Sequence, residues 1–385
     1  MPVPNFIFRP ASWIPVATDA LAKAIMPPSL WVMRYRICAY MSTRITAALA
    51  EIGVADALVV GPKTAAALAA ELKCDERQLF RLMRGAVQAG FFEEAPGASA
   101  TAAASSTTTL FRNNKQSSVL RTDHPNSVRH MAIHQGEEME RAWAQLAWGV
   151  KTGGRMFERA HGGEELFDYL KARPATETVF SRAMAEVNGL SAKAVIGDYY
   201  AVRSFKRIVD IGGAHGAFLA AILEGLPGNA TQGLLFDQPQ VADRAAALWR
   251  DAASDYKPLL SRVSFAGGSF FEAASLPKLV DGDVLNMRLI LHDWSDADSV
   301  AILTNLRKAI GSARVTVALV EMCVPSGTAD PVFQRGIMDL HMMCALQAKE
   351  RTAEEWAGLV GQAGFKLKAV VPTRGLFSVM ECVAA

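Results

Sequence analysis

The sequence predicts an α/β protein in which a mostly parallel sheet follows a helical N-terminal part. From Lys206 onward, apolar segments of strand length alternate with helical segments. Such alternation builds a parallel sheet with helices on both faces. The last two strand segments are joined only by residues 372–375, and a link this short favours an antiparallel hairpin at the end of the sheet.

Seven segments have the length and apolar character of strands. They are residues 206–211, 233–236, 262–266, 283–291, 315–321, 366–371 and 376–383. The expected fold is therefore a Rossmann-like, mostly parallel seven-stranded sheet with a C-terminal antiparallel hairpin. One helix beside it is well specified, because Ser295 and Asp298 form a capping-box-like start and Gly311 ends it.

Residues 36–92 show a compact helical pattern in which Thr64 and Asp75 occupy N-cap positions. A strand begins at Phe91, and residues 108–111 return as a second strand after a stretch rich in Ala, Ser and Thr. Three short helices and two strands make a winged helix. Winged helices often bind DNA, but the charges here are sparse and mixed, so we interpret this part as an assembly domain.

Residues 1–35 carry six prolines among apolar side chains such as Trp13, Leu21 and Trp31. The segment is too short to bury these groups by itself. A poorly ordered tail is one interpretation. We favour packing on a partner subunit, because exposed apolar clusters usually mark interfaces.

Composition limits the class of protein. Lys plus Arg number 40 and Asp plus Glu 38, so there is no electrostatic case for a nucleic-acid or membrane partner. The five cysteines are scattered without CxxC spacing, which predicts neither a zinc site nor a disulfide framework and favours a reduced, cytoplasmic location. No apolar run reaches the roughly 18 residues of a membrane span, and no signal-peptide layout is visible.

A glycine turn follows the first predicted strand. Asp210 precedes Gly212, Gly213 and Gly216, and a helix is expected from Ala217. Turn amides and a helix N-terminus receive nucleotides. The spacing does not match GxGxxG, so it favours a nucleoside cofactor without phosphates, although a tight turn with a packing glycine would look the same.

Two further strand ends carry polar residues. Asp237 ends the second predicted strand, where an acidic residue suits ribose hydroxyls. His292 closes the predicted strand 283–291. Taken alone, a histidine there is more often a structural hydrogen-bonding group than a catalytic base.

Taken together, these motifs resemble the S-adenosylmethionine-dependent O-methyltransferases of the caffeate and acetylserotonin type, a family that includes bacterial natural-product enzymes. The resemblance covers nearly the whole chain. Besides the winged-helix region and the glycine turn, it is carried by residues 121–125, 166–170, 236–239, 291–296, 320–321 and 349–352.

The resemblance implies a role for each matching residue. His292 would be the catalytic base, flanked by the acids Glu321 and Glu350. S-adenosylmethionine, with no metal, would be bound by Asp210, Gly212, Gly213, Gly216, Asp237, Gly268, Ser269, Phe270 and Arg288. The acceptor would be bound by His134, Trp143, Met184, Asn188, Asp339, Met342 and Met343.

The same resemblance implies an organisation and an activity. Residues 1–120 would hold the N-terminal extension and a homodimerising winged helix, residues 121–200 a helical linker contributing to the acceptor pocket, and residues 201–385 the cofactor-binding domain. The expected reaction is methylation of a phenolic hydroxyl on a small molecule. A phenol has a pKa near 10, so a base such as histidine has to remove its proton.

Three departures from the family pattern stand out. Ser269 replaces an expected aspartate, which removes one acceptor near the adenine. Ala214 stands where glycine is usual, and Gln347-Ala348 replaces Gly-Gly beside the acceptor pocket. Ser269 and Ala214 keep open a non-methylating relative on the same fold, such as a hydroxylase, decarboxylase or pericyclase. An N-methylating relative is a further alternative, because the sequence does not show whether the acceptor atom is oxygen or nitrogen. A DNA-binding regulator is the third alternative, against which the uncharged wing argues.

Overall fold

The computed structural model describes residues 14–95, 105–226, 230–326, 335–346 and 348–385. The chain forms two compact units, residues 17–189 and residues 190–385. Residues 1–13, the tip between the two predicted wing strands, and Gln347 lie outside the described residues.

The first unit begins with helices and a small sheet. The helices are α1 (Ile14–Ile25), α2 (Pro28–Val32), a π-helical turn (Met33–Ile37), α3 (Ala39–Ile52), α4 (Val54–Ala57), α5 (Ala65–Leu72) and α6 (Glu76–Gln88). The strands β1 (Lys63–Thr64), β2 (Glu93–Glu94) and β3 (Leu110–Arg112) pair antiparallel in the order β1-β3-β2. The side chains of Thr64 and Asp75 accept the predicted capping hydrogen bonds, and a buried core includes Leu68, Met83 and Phe111. The helices and two strands of a winged helix are confirmed, and the short β1 is an addition.

The rest of this unit is helical. Its helices are α7 (Lys115–Ser118), α8 (Arg129–Gly136), α9 (Glu138–Trp143), α10 (Leu146–Thr152), α11 (Met156–Ala160), α12 (Leu166–Lys171) and most of α13 (Pro174–Val195). The last residues of α13 and the π-helical turn that follows it (Ile196–Tyr200) belong to the second unit.

The second unit holds the predicted seven-stranded sheet. Its strands are β4 (Arg207–Ile211), β5 (Gln232–Asp237), β6 (Val263–Gly267), β7 (Asp283–Arg288), β8 (Thr316–Glu321), β11 (Phe365–Pro372) and β12 (Ser378–Ala384), in the order β11-β12-β8-β7-β4-β5-β6. Strands β4 to β8 are parallel, and β12 pairs antiparallel with both β8 and β11. The α/β fold and its C-terminal hairpin are confirmed.

Helices cover both faces of this sheet. They are α14 (Ala217–Gly225), α15 (Pro239–Arg250), α16 (Asp296–Ile310), α17 (Arg335–Leu346) and α18 (Ala353–Gln362), with 3-10 turns at Lys257–Arg262, Ala273–Ser275 and Leu291–Asp293. One core packs α16 and α18 on the sheet, and the other packs α14 on the opposite face. Among the described residues, no helix is long and apolar enough to cross a membrane.

The predicted strand 283–291 is three residues too long. Strand β7 ends at Arg288, and Leu289 turns away with a φ of +55°. The amides of Ile290 and Leu291 then donate to a carboxylate oxygen of Glu321, each at 2.9 Å, instead of continuing a strand ladder. His292 therefore lies on a 3-10 turn and not at a strand end. The parallel pair β9 (Cys323–Val324) and β10 (Arg351–Thr352) was not predicted either.

Candidate active site

The carboxyl ends of the parallel strands carry most of the predicted site residues of the second unit. Asp210 and Gly212 lie at the end of β4, Asp237 ends β5, Gly268 follows β6, Arg288 ends β7 and Glu321 ends β8. Parallel strands end at one edge of a sheet, and open α/β sheets bind their ligands outside that edge. The fold therefore brings residues from five separate strands to one place.

The turn after β4 needs its glycines. Gly212 N–H donates to the carbonyl oxygen of Phe236 and Gly216 N–H to that of Gly213, both at 2.8 Å. Gly212 and Gly216 have φ angles of +75° and +83°, which glycine adopts at little cost. A Cβ on Gly216 would also lie 2.9 Å from the ring of Trp249. The turn is closed and tightly packed.

Ala214 occupies the same left-handed region with a φ of +49°, a conformation that strains the backbone of a residue with a Cβ. Its amide donates to Asp237 Oδ2 at 2.9 Å, and the amide of Gln238 donates to Asp237 Oδ1 at 2.7 Å. These bonds fix the carboxylate while each oxygen keeps a lone pair. Asp237 is thus oriented and still able to accept from a sugar hydroxyl.

Buried hydrogen bonds hold the carboxylate of Asp210 in place. It is buried, and its Oδ1 accepts a 2.5 Å hydrogen bond from Asn286 Nδ2, whose Oδ1 accepts a 2.6 Å bond from the hydroxyl of Tyr200. Asp210 Oδ2 is buried with no hydrogen-bond partner among the described residues. Burial raises the pKa of Asp210 to about 6, against the lowering effects of Asn286 and of the charge on Arg288. A buried carboxylate oxygen of this kind calls for a cationic donor.

A cavity of about 460 Å³ lies beyond Asp237. It is lined by Phe236, Asp237, Gln238, Pro239, Gly268, Ser269, Phe270, Phe271, Glu272 and Trp294. Phe270 and Trp294 meet edge to face with ring centroids 5.9 Å apart. Aromatic walls beside a carboxylate suit a nucleoside, because the rings can contact a base while the carboxylate binds the sugar.

Ser269 does more than replace an acid. Its Oγ accepts from the amide of Phe271 at 3.2 Å, and its amide donates to Ser275 Oγ at 2.9 Å. Its hydroxyl therefore stabilises the turn that shapes the cavity. Gly268 beside it has no room for a side chain, since a Cβ would lie 2.8 Å from the ring of Phe236.

Three carboxylates surround His292. Its Nδ1 lies 3.3 Å from Glu350 Oε1 and 3.6 Å from Glu321 Oε2, and its Nε2 lies 3.3 Å from Asp293 Oδ1. The histidine side chain is 15% exposed, and Glu321 is fully buried. Burial disfavours the imidazolium, but the negative charges, first that of Glu321, outweigh it and raise the pKa of His292 to about 9.

The two predicted acids are themselves fixed. Glu321 Oε1 accepts the amides of Ile290 and Leu291, so the carboxylate also holds the turn that carries His292. Burial raises the pKa of Glu321 to about 7. The amide of Glu350 donates to Asp339 Oδ1 at 2.9 Å. The predicted acceptor ligand Asp339 thus supports Glu350 directly.

Sequence reasoning missed Arg351, the most deeply buried cation described in this region. It is 1% exposed, and its guanidinium donates at 3.0 Å to the carbonyl oxygens of Leu291 and Trp294 on either side of His292. It also pairs with Asp296 at 2.8 Å. The sequence did hold a signal for Arg351, because it lies within the family-like stretch 349–352, in which only Glu350 was predicted to have a role.

Arg288 interacts electrostatically with two acids of the site, Asp210 and Glu321. Its guanidinium is 4.5 Å from the centroid of the Phe218 ring. Burial lowers its pKa, and the negative charges of Asp210 and Glu321 oppose that change. The arginine therefore links the cofactor side and the histidine side electrostatically.

The predicted acceptor residues fall in both units. Asp339, Met342 and Met343 lie on α17 of the second unit, half-buried. His134, Trp143, Met184 and Asn188 belong to the first unit, where they stay predictions. His134 is buried there, its Nδ1 paired with Glu138 and its ring edge-on to Phe180 at 5.3 Å.

The geometry suits proton abstraction beside a bound nucleoside. A histidine with carboxylates on Nδ1 has a fixed tautomer and a stabilised imidazolium. Within the described ranges, no group of three or more His, Cys, Asp or Glu side chains could hold a metal ion.

Comparisons with known proteins give the family. An O-methyltransferase domain matches residues 143–366, and an O-methyltransferase dimerisation domain matches residues 36–123. The chain is 35% identical over 351 residues to the phenazine O-methyltransferase PhzM of Lysobacter antibioticus, covering 91% of this chain and 95% of that protein. It is 33% identical over 339 residues to 8-amino-8-demethylriboflavin N,N-dimethyltransferase of Streptomyces davaonensis, covering 87% and 90%. The crystal structure of CalO1, a methyltransferase of calicheamicin biosynthesis in its S-adenosylhomocysteine-bound form, superposes with a TM-score of 0.75 at 26% identity, covering 93% and 98%.

Proposed function

This chain belongs to the S-adenosylmethionine-dependent O-methyltransferase family, and on that premise we propose that it methylates a phenolic hydroxyl of a small aromatic acceptor with His292 as general base. The observation that carries the proposal is that Glu321 and Glu350 both face Nδ1 of His292, at the same sheet edge as the cavity beside Asp237. The enzyme class and the cofactor follow from the family. The acceptor and the base are the proposed part.

S-adenosylmethionine supplies a methyl group activated by its sulfonium sulfur. Asp210 and the turn at Gly212–Gly216 would hold the methionine end, Asp237 the ribose and the cavity around Phe270 the base. Arg288 would balance the charge of Asp210 and Glu321. These residues bind and orient, and correct alignment of acceptor and donor contributes much of the rate.

His292 would supply the proton acceptor. Glu350 and Glu321 face Nδ1, so Nε2 is the atom that would take the proton of the acceptor hydroxyl, beside Asp293. A pKa of about 9 is close to the value of about 10 for a phenol, so proton transfer between them is nearly balanced in free energy. Because only neutral histidine can act, kcat/KM should rise with pH up to about 9.

The test uses methyl-labelled cofactor and a panel of phenolic acceptors. His292→Ala should lose about 100-fold or more in turnover while keeping its affinity for S-adenosylhomocysteine, since general-base catalysis contributes on that scale. His124→Ala is the matched control, because His124 belongs to the first unit and its ring accepts a local amide hydrogen bond from Asn126. Full activity in His292→Ala would refute the base.

The riboflavin-type relative favours N-methylation as a second candidate. An aromatic amine has a free lone pair and needs no deprotonation before attack. If the acceptor is an amine, His292→Ala should retain most activity and the alkaline rise should be absent. Including aryl amines in the panel separates the two reactions.

We also propose that the protein is a homodimer. Residues 21–41 of the first unit expose a series of large apolar side chains, namely Leu21, Ile25, Leu30, Val32, Met33, Tyr35, Ile37, Tyr40 and Met41. Exposed apolar side chains concentrated in one segment mark an interface. The dimerisation-domain match covers the later part of this segment.

A further inference from the structure

We propose that Tyr200 and Asn286 are positioning residues for cofactor binding, which hold Asp210 so that its Oδ2 receives the α-ammonium group of the methionine part. This inference rests on the cofactor-binding role proposed for Asp210. Neither Tyr200 nor Asn286 was a predicted site residue, and neither belongs to the glycine turn.

The three side chains form one buried chain of hydrogen bonds. Tyr200 and Asn286 are fully buried and Asp210 is 2% exposed. The Tyr200 hydroxyl donates to Asn286 Oδ1 at 2.6 Å, and Asn286 Nδ2 donates to Asp210 Oδ1 at 2.5 Å. The carboxylate at one end requires the amide NH₂ group on its side, so the amide oxygen faces the hydroxyl. The chain of hydrogen bonds therefore ends in one donor to Asp210, the Asn286 amide, and this donor contacts Oδ1.

The other oxygen is aimed at the glycine turn. A Cβ on Gly213 would lie 2.8 Å from Asp210 Oδ2, so this oxygen faces the turn at a position where only glycine fits beside it. No hydrogen-bond partner reaches Oδ2 among the described residues. A buried anionic oxygen beside the glycine turn selects a cationic donor, and the α-ammonium group offers three N–H donors and a positive charge.

The charged and titratable groups around Asp210 support this assignment. Arg288 favours its ionised form, whereas burial and the carboxylate of Asp237 oppose it. Burial raises the pKa of Tyr200 well above its usual value. The hydroxyl therefore keeps its proton and stays a donor at physiological pH. Among the described residues, Asn286 is therefore the neutral side-chain donor that favours the charged form of Asp210.

Tyr199 provides a matched control within the same turn. It is also fully buried, but its hydroxyl donates to Glu381 at 3.0 Å and takes no part in the chain to Asp210. Tyr199→Phe and Tyr200→Phe each delete one buried hydroxyl from adjacent positions. A general loss of packing would affect both variants, whereas a positioning role affects only Tyr200→Phe.

Calorimetric titration with two ligands tests the proposal without any acceptor. S-adenosylhomocysteine carries the α-ammonium group, and 5′-methylthioadenosine lacks the whole amino-acid part. Asn286→Leu should bind S-adenosylhomocysteine roughly 10- to 100-fold more weakly, the range for a lost hydrogen bond to a charged group, with methylthioadenosine binding changed by less than about two-fold. Tyr200→Phe should weaken S-adenosylhomocysteine by about three- to ten-fold, and Tyr199→Phe should leave both ligands unchanged.

A pH series adds a second readout. Affinity of the native protein for S-adenosylhomocysteine should fall as pH drops through about 6, where Asp210 gains a proton. Because the bond from Asn286 lowers that pKa, Asn286→Leu should move this fall to higher pH. Methylthioadenosine affinity should not follow Asp210.

The outcomes separate this inference from the cofactor assignment. If the native protein fails to bind S-adenosylhomocysteine, the proposed cofactor site itself is wrong. If it binds, but Asn286→Leu weakens both ligands equally, or Tyr199→Phe behaves like Tyr200→Phe, the positioning role is overturned and the cofactor site stands. If Asn286→Leu does not fold, the pair of tyrosine variants decides the question.

Discussion

Replacing Glu321 with glutamine should lower the pKa of His292 strongly while leaving the active-site turn in place. The glutamine carbonyl can still accept the amides of Ile290 and Leu291, as Glu321 Oε1 does at 2.9 Å. The substitution removes the negative charge of Glu321, a fully buried carboxylate whose Oε2 lies 3.6 Å from Nδ1 of His292. The substitution therefore isolates the electrostatic contribution of one buried acid.

The magnitude follows from the shift itself. The pKa of His292 is raised from 6.5 to about 9, which corresponds to roughly 3 kcal/mol in favour of the imidazolium. Burial opposes the charge and Glu321 is the largest favourable contribution, ahead of Glu350 and Asp293. Without Glu321, we expect the pKa to fall by at least about one unit, or about 1.4 kcal/mol.

Nuclear magnetic resonance of the histidine ring protons measures this directly. The chain has seven histidines, and the His292→Ala variant assigns the relevant signal. The native signal should titrate near pH 9, and that of Glu321→Gln well below it. A native signal titrating near 6.5, or an unchanged value in Glu321→Gln, would refute the electrostatic account of the base.

The free energy of unfolding should also depend on pH, because the pKa values of His292 and Glu321 differ between the folded and unfolded states. Since the folded pKa of His292 lies above the unfolded value, its contribution to the free energy of unfolding is complete below about pH 6.5 and is lost as pH rises through about 9. Glu321 has a raised pKa of about 7, so its ionisation destabilises the fold as pH rises from 4.5. Above about pH 9, His292 no longer offsets the charge of the buried Glu321 carboxylate, and Glu321→Gln should be the more stable protein.

Three more outcomes are expected. Arg351→Met removes the hydrogen bonds that clamp the His292 turn and should lower the free energy of unfolding by about 2–4 kcal/mol in urea titrations, with Arg351→Lys in between. Arg314→Met, which breaks an ion pair on an 88% exposed side chain, should cost under about 1 kcal/mol, and equal effects of the two methionine variants would contradict the clamp. Ala214→Gly should stabilise the protein by about 0.5–1 kcal/mol, because glycine relieves the strain of the left-handed backbone at this position. The control, Ala220→Gly inside α14, should destabilise the protein by about 1 kcal/mol. Thermal denaturation compares the two variants, and a loss of stability in Ala214→Gly would exclude strain at that position. Ile37→Glu, on a side chain 57% exposed in the apolar segment, should shift the protein from dimer to monomer in light scattering, and Val202→Glu, at 69% exposure outside that segment, should not; a dimer that survives Ile37→Glu would place the interface elsewhere.

Local physics explains why much of the fold could be predicted. Helix α16 begins where Ser295 caps the amide of Asp298 and ends where Gly311 turns with a φ of +57°. Both devices act within four residues and are visible in the sequence. The same holds for the caps at Thr64 and Asp75. The parallel direction of most strands in the sheet could be predicted because alternating strands and helices allow few arrangements.

The errors arose where distant residues decide the local conformation. Residues 289–291 are apolar and look like a strand, but Glu321 captures two of their amides from the neighbouring strand. Asn286 between the apolar residues Leu285 and Met287 of β7 was a usable signal, since a buried amide needs partners. Its partners, Tyr200 and Asp210, lie 86 and 76 residues away, so their identity required the structure.

The C-terminal strand has a consequence for how the chain reaches its native state. Strand β12 (Ser378–Ala384) lies inside the sheet, with β8 on one side and β11 on the other. During synthesis, β8 and the parallel strands beyond it are complete more than fifty residues before β12 exists. Until then, β8 presents an unpaired apolar edge, the kind of surface that favours aggregation. Ribosome-bound chains arrested before residue 378 should therefore depend on chaperones, and the catalytic unit should acquire protease resistance only after this last strand has emerged.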